Sequence, residues 1–433
     1  NGAITLTAAA RVNADAGTLT IDPTAGDAFT GAFAVTFGGA GNVTVSDTFA
    51  AGVASVTKDG AGTLAVTARN FVTGGLTVSA GTVTASNGNA FTGGTAQTLN
   101  NSSSAVANPL GRNGGTASTV TLANSTTLNV LVGSGTDTAG QTLSLDNPIT
   151  VQAGAAAAVN VGRQAGTTSG KVIALGRVTL GNGANLTFNS TNQRGTINGV
   201  TLSGATGTIG GTSSFLQTLG SLIGAVGGST LTKAGTNDFT LSSGTAPSNI
   251  AGINVTGGRM FIGAANALGT VPVSVAAGAA LYSQTNNVTL TQTVTVASGG
   301  GIGTRNATFS VPATGLPTAG TLVLQNDDQA SAALSLTGTY PTLTGDLTFQ
   351  FAGTRLNNGA RAIGNTTLAS GFSLGGADRT ITLDYAPTSS STPATTSLLT
   401  VSGATTLDAD RRSPGTGRGR SPARSARPAA RGR

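Results

Sequence analysis

The stretch from Val56 to Ser86 reads VTKDGAGTLAVTARNFVTGGLTVSAGTVTAS, and it decides the fold. Apolar and polar residues alternate in runs of three to six residues, and glycine separates the runs. Alternation with a period of two predicts half-buried β-strands, and glycine between such runs predicts tight turns that need a positive φ. The stretch therefore predicts several short strands joined by sharp corners.

The composition of the whole chain supports the same interpretation. Glycine supplies 66 of the 433 residues, charged residues make up 9%, and all 15 acidic residues are aspartate. Strong helix formers that carry charge are therefore scarce, whereas β-branched and turn residues abound. A disordered low-complexity chain is the less favoured alternative, because period-two runs recur far from the opening stretch. These runs begin at Val43, Leu143, Leu334 and Ile381.

A repeat relates three parts of the sequence. The segments LAVTARNFVTGGLTVSAGTVTASNGNAF from Leu64, FTLSSGTAPSNIAGINVTGGRMFIGAANALG from Phe239 and LSLTGTYPTLTGDLTFQFAGTRLNNGARAIG from Leu334 share one order of strands and turns. One glycine opens the second strand of each copy, and another leads into the third strand. The first set is Gly74, Gly252 and Gly345, and the second is Gly81, Gly257 and Gly353.

Units of this size cannot bury their own apolar face, so we expect them to stack. The predicted fold is all-β, a parallel β-helix (β-solenoid) over residues 1–410, with the clearest repeats at 56–86, 230–269 and 334–364. Aliphatic residues would fill the interior, and Thr, Ser and Asn would form ladders outside. Lys58 and Lys233 head the first two copies, where we expect a structural role with the side chains facing solvent. A helix over Ser214–Val226 is a less favoured alternative to a strand.

These features resemble a known family. The run from Lys58 through Gly60, Asn70 and Gly81, the NPLG and NALG segments that start at Asn108 and Asn266, and the spacer VTLANSTTL are similar to the autotransporter-associated β-strand repeat, or passenger-associated transport repeat. The resemblance implies a right-handed helix and a secreted passenger on the bacterial surface. It also implies a structural or adhesive function, with repeats that assist export and folding. The expected partners are glycans, cell surfaces and the outer-membrane translocation machinery.

The sequence begins at Asn1 within a strand-like pattern, without Met or a signal peptide, and no translocator barrel is evident. We therefore expect it to be part of a longer protein. It contains no run of about 20 apolar residues that would predict a transmembrane helix.

The chain contains few of the side chains that enzymes use for catalysis. It contains neither Cys nor His, which excludes disulfides, thiolate metal sites and nucleophile–histidine catalysis. The adjacent carboxylates Asp327 and Asp328 are the candidate catalytic residues of an alternative function, a β-helical polysaccharide lyase or hydrolase. A polar turn is favoured there, because acid–base catalysis needs convergent partners. The run from Gly299 to Arg305 lacks the Lys-Ser/Thr of a phosphate loop and predicts a corner. We expect no enzyme activity, no cofactor and no metal.

The C-terminal segment 411–433 differs from everything before it. Eight of the 22 basic residues lie there without an acid, so the remainder of the chain is close to neutral. We expect a disordered Arg-rich tail. A frame-shifted translation of GC-rich coding sequence is favoured over a functionless solvated tail and over a basic arm that binds nucleic acid or anionic membrane.

Overall fold

The computed structural model describes most of the chain up to Ser402. The described residues are 2–67, 72, 74–87, 97–98, 108–113, 116–132, 142–164, 172–213, 215–285, 287–305, 308–327, 333–353, 365–387 and 399–402. Within these ranges the chain forms β-strands and one short 3₁₀ helix, Ala313–Gly315.

The strands in the first half of the chain are β1 (Ile4–Thr5), β2 (Ala10–Asn13), β3 (Thr18–Ile21), β4 (Phe29–Thr30), β5 (Val35–Gly38), β6 (Asn42–Val45), β7 (Val56–Lys58), β8 (Thr63–Val66), β9 (Leu76–Val78), β10 (Thr82–Asn87), β11 (Gln97–Thr98), β12 (Arg112–Asn113), β13 (Thr116–Ala117), β14 (Val120–Leu122), β15 (Thr126–Val132), β16 (Thr142–Ser144), β17 (Ile149–Val151), β18 (Ala156–Gly162), β19 (Val172–Leu180), β20 (Ala184–Ser190) and β21 (Arg194–Leu202).

Those in the second half are β22 (Thr206–Gly210), β23 (Gln217–Gly224), β24 (Ser229–Lys233), β25 (Phe239–Leu241), β26 (Ile250–Val255), β27 (Arg259–Ile262), β28 (Val273–Val275), β29 (Ala280–Ser283), β30 (Val288–Thr289), β31 (Val294–Val296), β32 (Gly301–Arg305), β33 (Thr308–Pro312), β34 (Gly320–Asp327), β35 (Ala333–Thr337), β36 (Leu347–Gly353), β37 (Asn365–Leu368), β38 (Ile381–Pro387) and β39 (Leu399–Val401).

Three large parallel sheets contain most of these strands, and β1 forms a separate parallel pair with β4. Sheet I has 18 strands, sheet II has 12 and sheet III has five. Sixteen strands of sheet I stack without a break, each pairing in parallel with the strand of the next coil: β2, β5, β7, β9, β14, β17, β19, β21, β23, β25, β27, β29, β32, β34, β36 and β38. Among the described strands, the antiparallel pairing is that of β12 with β13.

The chain alternates between sheets as it winds. Over most of its length one strand of sheet I is followed by one strand of sheet II, from β5 and β6 to β27 and β28. Sheet III begins at β30 and continues through β33, β35, β37 and β39, while sheet II ends at β31. This arrangement is the parallel β-helix that the sequence predicts. The segment 214–226 contains strand β23, so a helix there is wrong.

The interior is filled by aliphatic columns that run along the stack. In sheet I one column is made of residues in mutual register: Val35, Val56, Leu76, Val120, Ile149, Val178 and Val200. All of them are buried. Near the first coils Phe29 stacks on Phe49 at 5.1 Å between ring centroids, with Phe37 packed edge-on. Each coil therefore contributes a few apolar groups to one continuous core, as the unit size requires.

Glycine is required where corners stack closely. Gly39, Gly60 and Gly81 lie at the same corner of successive coils, each with a positive φ. A Cβ at Gly60 would lie 2.6 Å from the carbonyl oxygen of Gly39, and a Cβ at Gly81 would lie 2.4 Å from that of Gly60. Any other residue at these positions would meet the backbone of the neighbouring coil.

The predicted repeats occupy different sheets. In the first copy the strand that ends at Lys58 belongs to sheet I, whereas the strand that ends at Lys233 in the second copy belongs to sheet II. The third copy begins in sheet III with β35, and its last part, 354–364, lies outside the described residues. The same sequence pattern therefore forms strands and corners in more than one sheet of the β-helix.

Candidate functional site: corner lysines and the outer faces

Lys58 lies inside the β-helix. It takes an inward position in sheet I, between Phe37 and Val78 of the adjacent coils, and its exposed fraction is 1%. Its ammonium donates hydrogen bonds to the carbonyl oxygens of Asp59 (2.8 Å) and Gly60 (2.7 Å), at the corner between β7 and β8. The side chain thus satisfies corner carbonyls that no β-ladder reaches.

Lys233 does the same at the opposite corner. It is fully buried in sheet II between Ile209 and Val255. Its ammonium donates to three carbonyl oxygens, of Gly235 (3.2 Å), Asn237 (2.5 Å) and Gly257 (2.5 Å). The last belongs to the following coil, so this lysine also ties two coils together.

The expectation that these lysines face solvent is therefore wrong, because corner carbonyls that turn inward need a donor inside. Burial lowers the pKa of both side chains, and it lowers that of Lys233 to about 8. The nearby carboxylate of Asp238 partly opposes this effect on Lys233, and the charge of Arg259 adds to it. Hydrogen bonds to several carbonyl oxygens nevertheless favour the ammonium form at neutral pH.

An ion pair crosses the corner next to Lys58. The guanidinium of Arg11 forms two hydrogen bonds of 2.8 Å with the carboxylate of Asp59. These bonds lower the pKa of Asp59. Because 52% of the Arg11 side chain and 34% of the Asp59 side chain are exposed to solvent, the pair adds little to stability.

Polar ladders cover the outer faces. On sheet II the amide of Asn160 donates to Oδ1 of Asn129 (2.9 Å), and the amide of Asn189 donates to Oδ1 of Asn160 (3.0 Å). At the ends, Asn129 donates to Thr84 and the backbone N–H of Thr212 donates to Asn189. The expectation of asparagine ladders is confirmed here.

Outward threonine ladders are expected from the sequence, but the members of one threonine column on sheet I were not identified from it. Seven coils in succession place a threonine at the same half-buried outward position: Thr36, Thr57, Thr77, Thr121, Thr150, Thr179 and Thr201. Six of the seven are the centre of an apolar-Thr-apolar tripeptide, and Thr57 lies between Val56 and Lys58; this pattern is the signal that could have revealed the column. Uniform uncharged residues avoid the repulsion that like charges would suffer one strand spacing apart.

The candidate catalytic pair is only partly within the described chain. Asp327 is the last residue of β34, in register with Arg305 of β32. Asp328 lies outside the described residues. The structure therefore does not bring the two carboxylates together into a described site.

The glycine-rich run has the corner geometry that the sequence predicts. Gly299 has a positive φ of 82° at the turn, and Gly301–Arg305 is strand β32. The NPLG and NALG segments are also turns: the N–H of Gly111 donates to the carbonyl oxygen of Asn108, and the N–H of Gly269 donates to the carbonyl oxygen of Asn266.

Further observations concern metal binding, membrane-spanning helices and the C-terminal segment. Across the described ranges, no group of three or more His, Cys, Asp or Glu side chains is placed to hold a metal ion. In the same part of the chain no helix has the length and apolar character needed to cross a membrane. The Arg-rich segment 411–433 lies outside the described residues, so its predicted disorder, its origin and its partners stay predictions.

Comparison with known proteins identifies no relative. No protein-family model, no curated protein and no solved structure matches this chain.

Proposed function

We propose that this chain is a structural and adhesive part of a secreted bacterial surface protein of the autotransporter type, whose repeats assist export and folding. The observation that carries the proposal is the unbroken parallel stack of sheet I, in which each coil pairs with the coil before it. A coil that is already folded offers a complete edge of N–H and C=O groups to the next one. A chain that emerges gradually from a membrane channel can therefore fold one coil at a time.

The exterior supports an adhesive rather than a catalytic function. The outer faces carry the threonine column and the asparagine ladder, which present repeated hydroxyl and amide groups without net charge. Such a surface suits partners rich in hydroxyl groups, such as glycans on neighbouring cells. The proposed site of action is the bacterial cell surface, and the outer-membrane translocation machinery is the partner during export.

Display on a Gram-negative cell tests the proposal. The chain is placed between a signal peptide and an outer-membrane translocator barrel, and folded surface protein is measured as a protease-resistant fragment on intact cells. Val200 is 1% exposed and points inward, so Val200→Asp should block stacking of its coil and lower the amount displayed. The neighbouring Thr201 is outward and half-buried, so Thr201→Asp should leave display close to that of the original chain.

Adhesion of the displaying cells to a glycan-coated surface is the second readout. Absence of display for the unaltered chain, or equal display for Val200→Asp and Thr201→Asp, would contradict the export function. Display without any gain in adhesion over cells that carry the barrel alone would contradict the adhesive function.

A further inference from the structure

A recess of about 470 Å³ lies on the outside of the β-helix, where sheet II turns into sheet I. Corner glycines and small residues form its floor, Asp238 and Arg259 stand at one end, and Val323, Gln325 and Gln350 stand at the other. It is distinct from the threonine column and the asparagine ladder, which lie on other coils.

The recess follows from one outward column of sheet I. Arg259, Ala280, Gly301, Val323 and Gln350 are in register on five successive coils. The column is large at both ends and small in the middle, so the surface dips over Ala280 and Gly301. Four strand spacings of about 4.8 Å make the column about 19 Å long.

The charged end of the recess is held rigidly. The guanidinium of Arg259 donates to both carboxylate oxygens of Asp238, with distances of 3.1, 3.1 and 2.5 Å. It also lies over the rings of Phe261 (5.2 Å) and Tyr282 (5.4 Å). These contacts fix the guanidinium plane before any ligand arrives, which reduces the entropy lost on binding.

The aromatic support has its own packing on the outer face. Phe261 and Tyr282 contact each other at 5.0 Å between ring centroids and belong to a small cluster outside the main core. The ring of Tyr282 lies over Gly303, where a Cβ would come within 2.6 Å of it. The sequence thus provides both the rings and the space that they need.

The polar groups stay accessible and carry no net charge together. Side-chain exposure is 32% for Arg259 and 22% for Asp238. At the far end, Gln325 and Gln350 add amide groups, and Gln350 contacts Asp384 at 3.4 Å. Donors and acceptors therefore occupy both ends of an uncharged, small-residue floor.

We infer that this recess binds a short neutral oligosaccharide that lies along the axis of the β-helix. The carboxylate, guanidinium and amide groups would hydrogen-bond its hydroxyls, while Ala280, Gly301 and Val323 contact the C–H faces of its rings. A peptide strand fits less well, because the backbone of each coil here already pairs with the coils on both sides. The inference deepens the proposed adhesive function and rests on it.

Calorimetric titration of the purified chain tests the inference. The probes are the neutral tetrasaccharides cellotetraose, maltotetraose and N-acetylchitotetraose, with tetragalacturonate as the acidic comparator. We expect at least one neutral probe to bind with a Kd of ~1 mM or tighter. Gly301→Thr places a side chain on the floor and should weaken that binding by about tenfold or more, equivalent to ~1.4 kcal/mol.

Two variants complete the design. Gly252→Thr is the matched control, because Gly252 is a strand glycine on sheet II with no neighbour closer than 3.9 Å to an added Cβ, and it should leave binding unchanged. Asp238→Asn removes the negative charge of the acceptor without changing the shape of the side chain. It should therefore weaken binding of the neutral probe and strengthen binding of tetragalacturonate. It serves as the deciding variant if Gly301→Thr does not fold.

Three results would overturn the inference: no neutral probe binds, tetragalacturonate binds the unaltered chain more tightly than every neutral probe, or the recess variants bind like the control. Surface display does not depend on this recess. Failure of saccharide binding in a chain that is displayed normally would therefore overturn the inference and leave the export function intact.

Discussion

At the scale of single residues, the two corner lysines show how a buried charge in a β-helix can satisfy backbone carbonyls at a corner. The methylene groups of Lys58 and Lys233 pack in apolar columns, while the ammonium groups reach corner carbonyls. Removal of the ammonium would leave these carbonyl oxygens buried without donors, which costs about 1–3 kcal/mol for each unsatisfied group. A lysine followed two residues later by glycine is thus a corner signature of this chain.

The lowered pKa of Lys233 makes folding stability depend on pH. Between about 8 and the ordinary value of 10.5, the unfolded chain keeps a proton that the folded chain has released. The unfolding free energy should therefore rise with pH across this window, by up to about 1.4 kcal/mol per pH unit. Urea unfolding at pH 7 to 10 should show this rise in the original chain relative to Lys233→Met.

Ile209→Met is the control, since Ile209 occupies the same inward column one coil earlier. The unfolding free energy of Ile209→Met should depend on pH in the same way as that of the original chain. Tyr340, whose pKa burial raises, acts in the opposite direction above about pH 10 in all three proteins and cancels in the differences. Parallel pH curves for the original chain and Lys233→Met would show that Lys233 keeps an ordinary pKa.

At the scale of strands, side-chain columns add connections that the backbone ladder does not supply. Asn160 donates to one neighbour and accepts from the other, so it links three coils on the outer face of sheet II. The interaction is directional, because each amide donates to the oxygen of the preceding coil. A single substitution in the middle of the ladder therefore breaks two hydrogen bonds.

We expect Asn160→Ala to lower the unfolding free energy by about 1–2 kcal/mol, the value of two partly buried hydrogen bonds. Asn185→Ala is a suitable control, because Asn185 lies on the same outer face and is exposed. Urea unfolding followed by circular dichroism measures both. Equal stability of the two variants would mean that the ladder is a geometric consequence of stacking without an energetic role.

The strands, the aliphatic interior and the outward polar ladders were predictable, whereas the particular residues that share a column were not. Alternation and glycine spacing indicated strands and corners around Val56–Ser86, and parallel stacking followed from the small size of the units. The members of the threonine column were not identified because their separation in sequence varies, from 20 residues between Thr57 and Thr77 to 44 between Thr77 and Thr121. The burial of Lys58 and Lys233 was not predicted because a lysine near glycine usually faces solvent.

At the scale of the whole molecule, backbone pairing is confined to adjacent coils, because each strand of sheet I or sheet II pairs with the strands directly before and after it. Some side chains reach one coil further, as Arg11 does to Asp59. The recess near Arg259 shows the same principle, since five successive coils suffice to build it. Stability should then be a sum of local terms rather than the property of one global core. Damage to one coil should spread to its neighbours and fade with distance.

Hydrogen exchange followed by mass spectrometry can measure that spread. Val159 is fully buried in β18, so Val159→Asp places an unpaired charge inside the helix and should open its own coil. Amide protection should fall most in β15, β18 and β20, less in β10 and β22, and remain unchanged in β27 to β36, because the disturbance passes from coil to coil and fades with distance. Ala158→Asp, at the neighbouring outward position, should leave protection unchanged throughout. A uniform loss along the whole stack in Val159→Asp would mean that the solenoid unfolds as one cooperative unit, and coil-by-coil folding during export would then lose its physical basis.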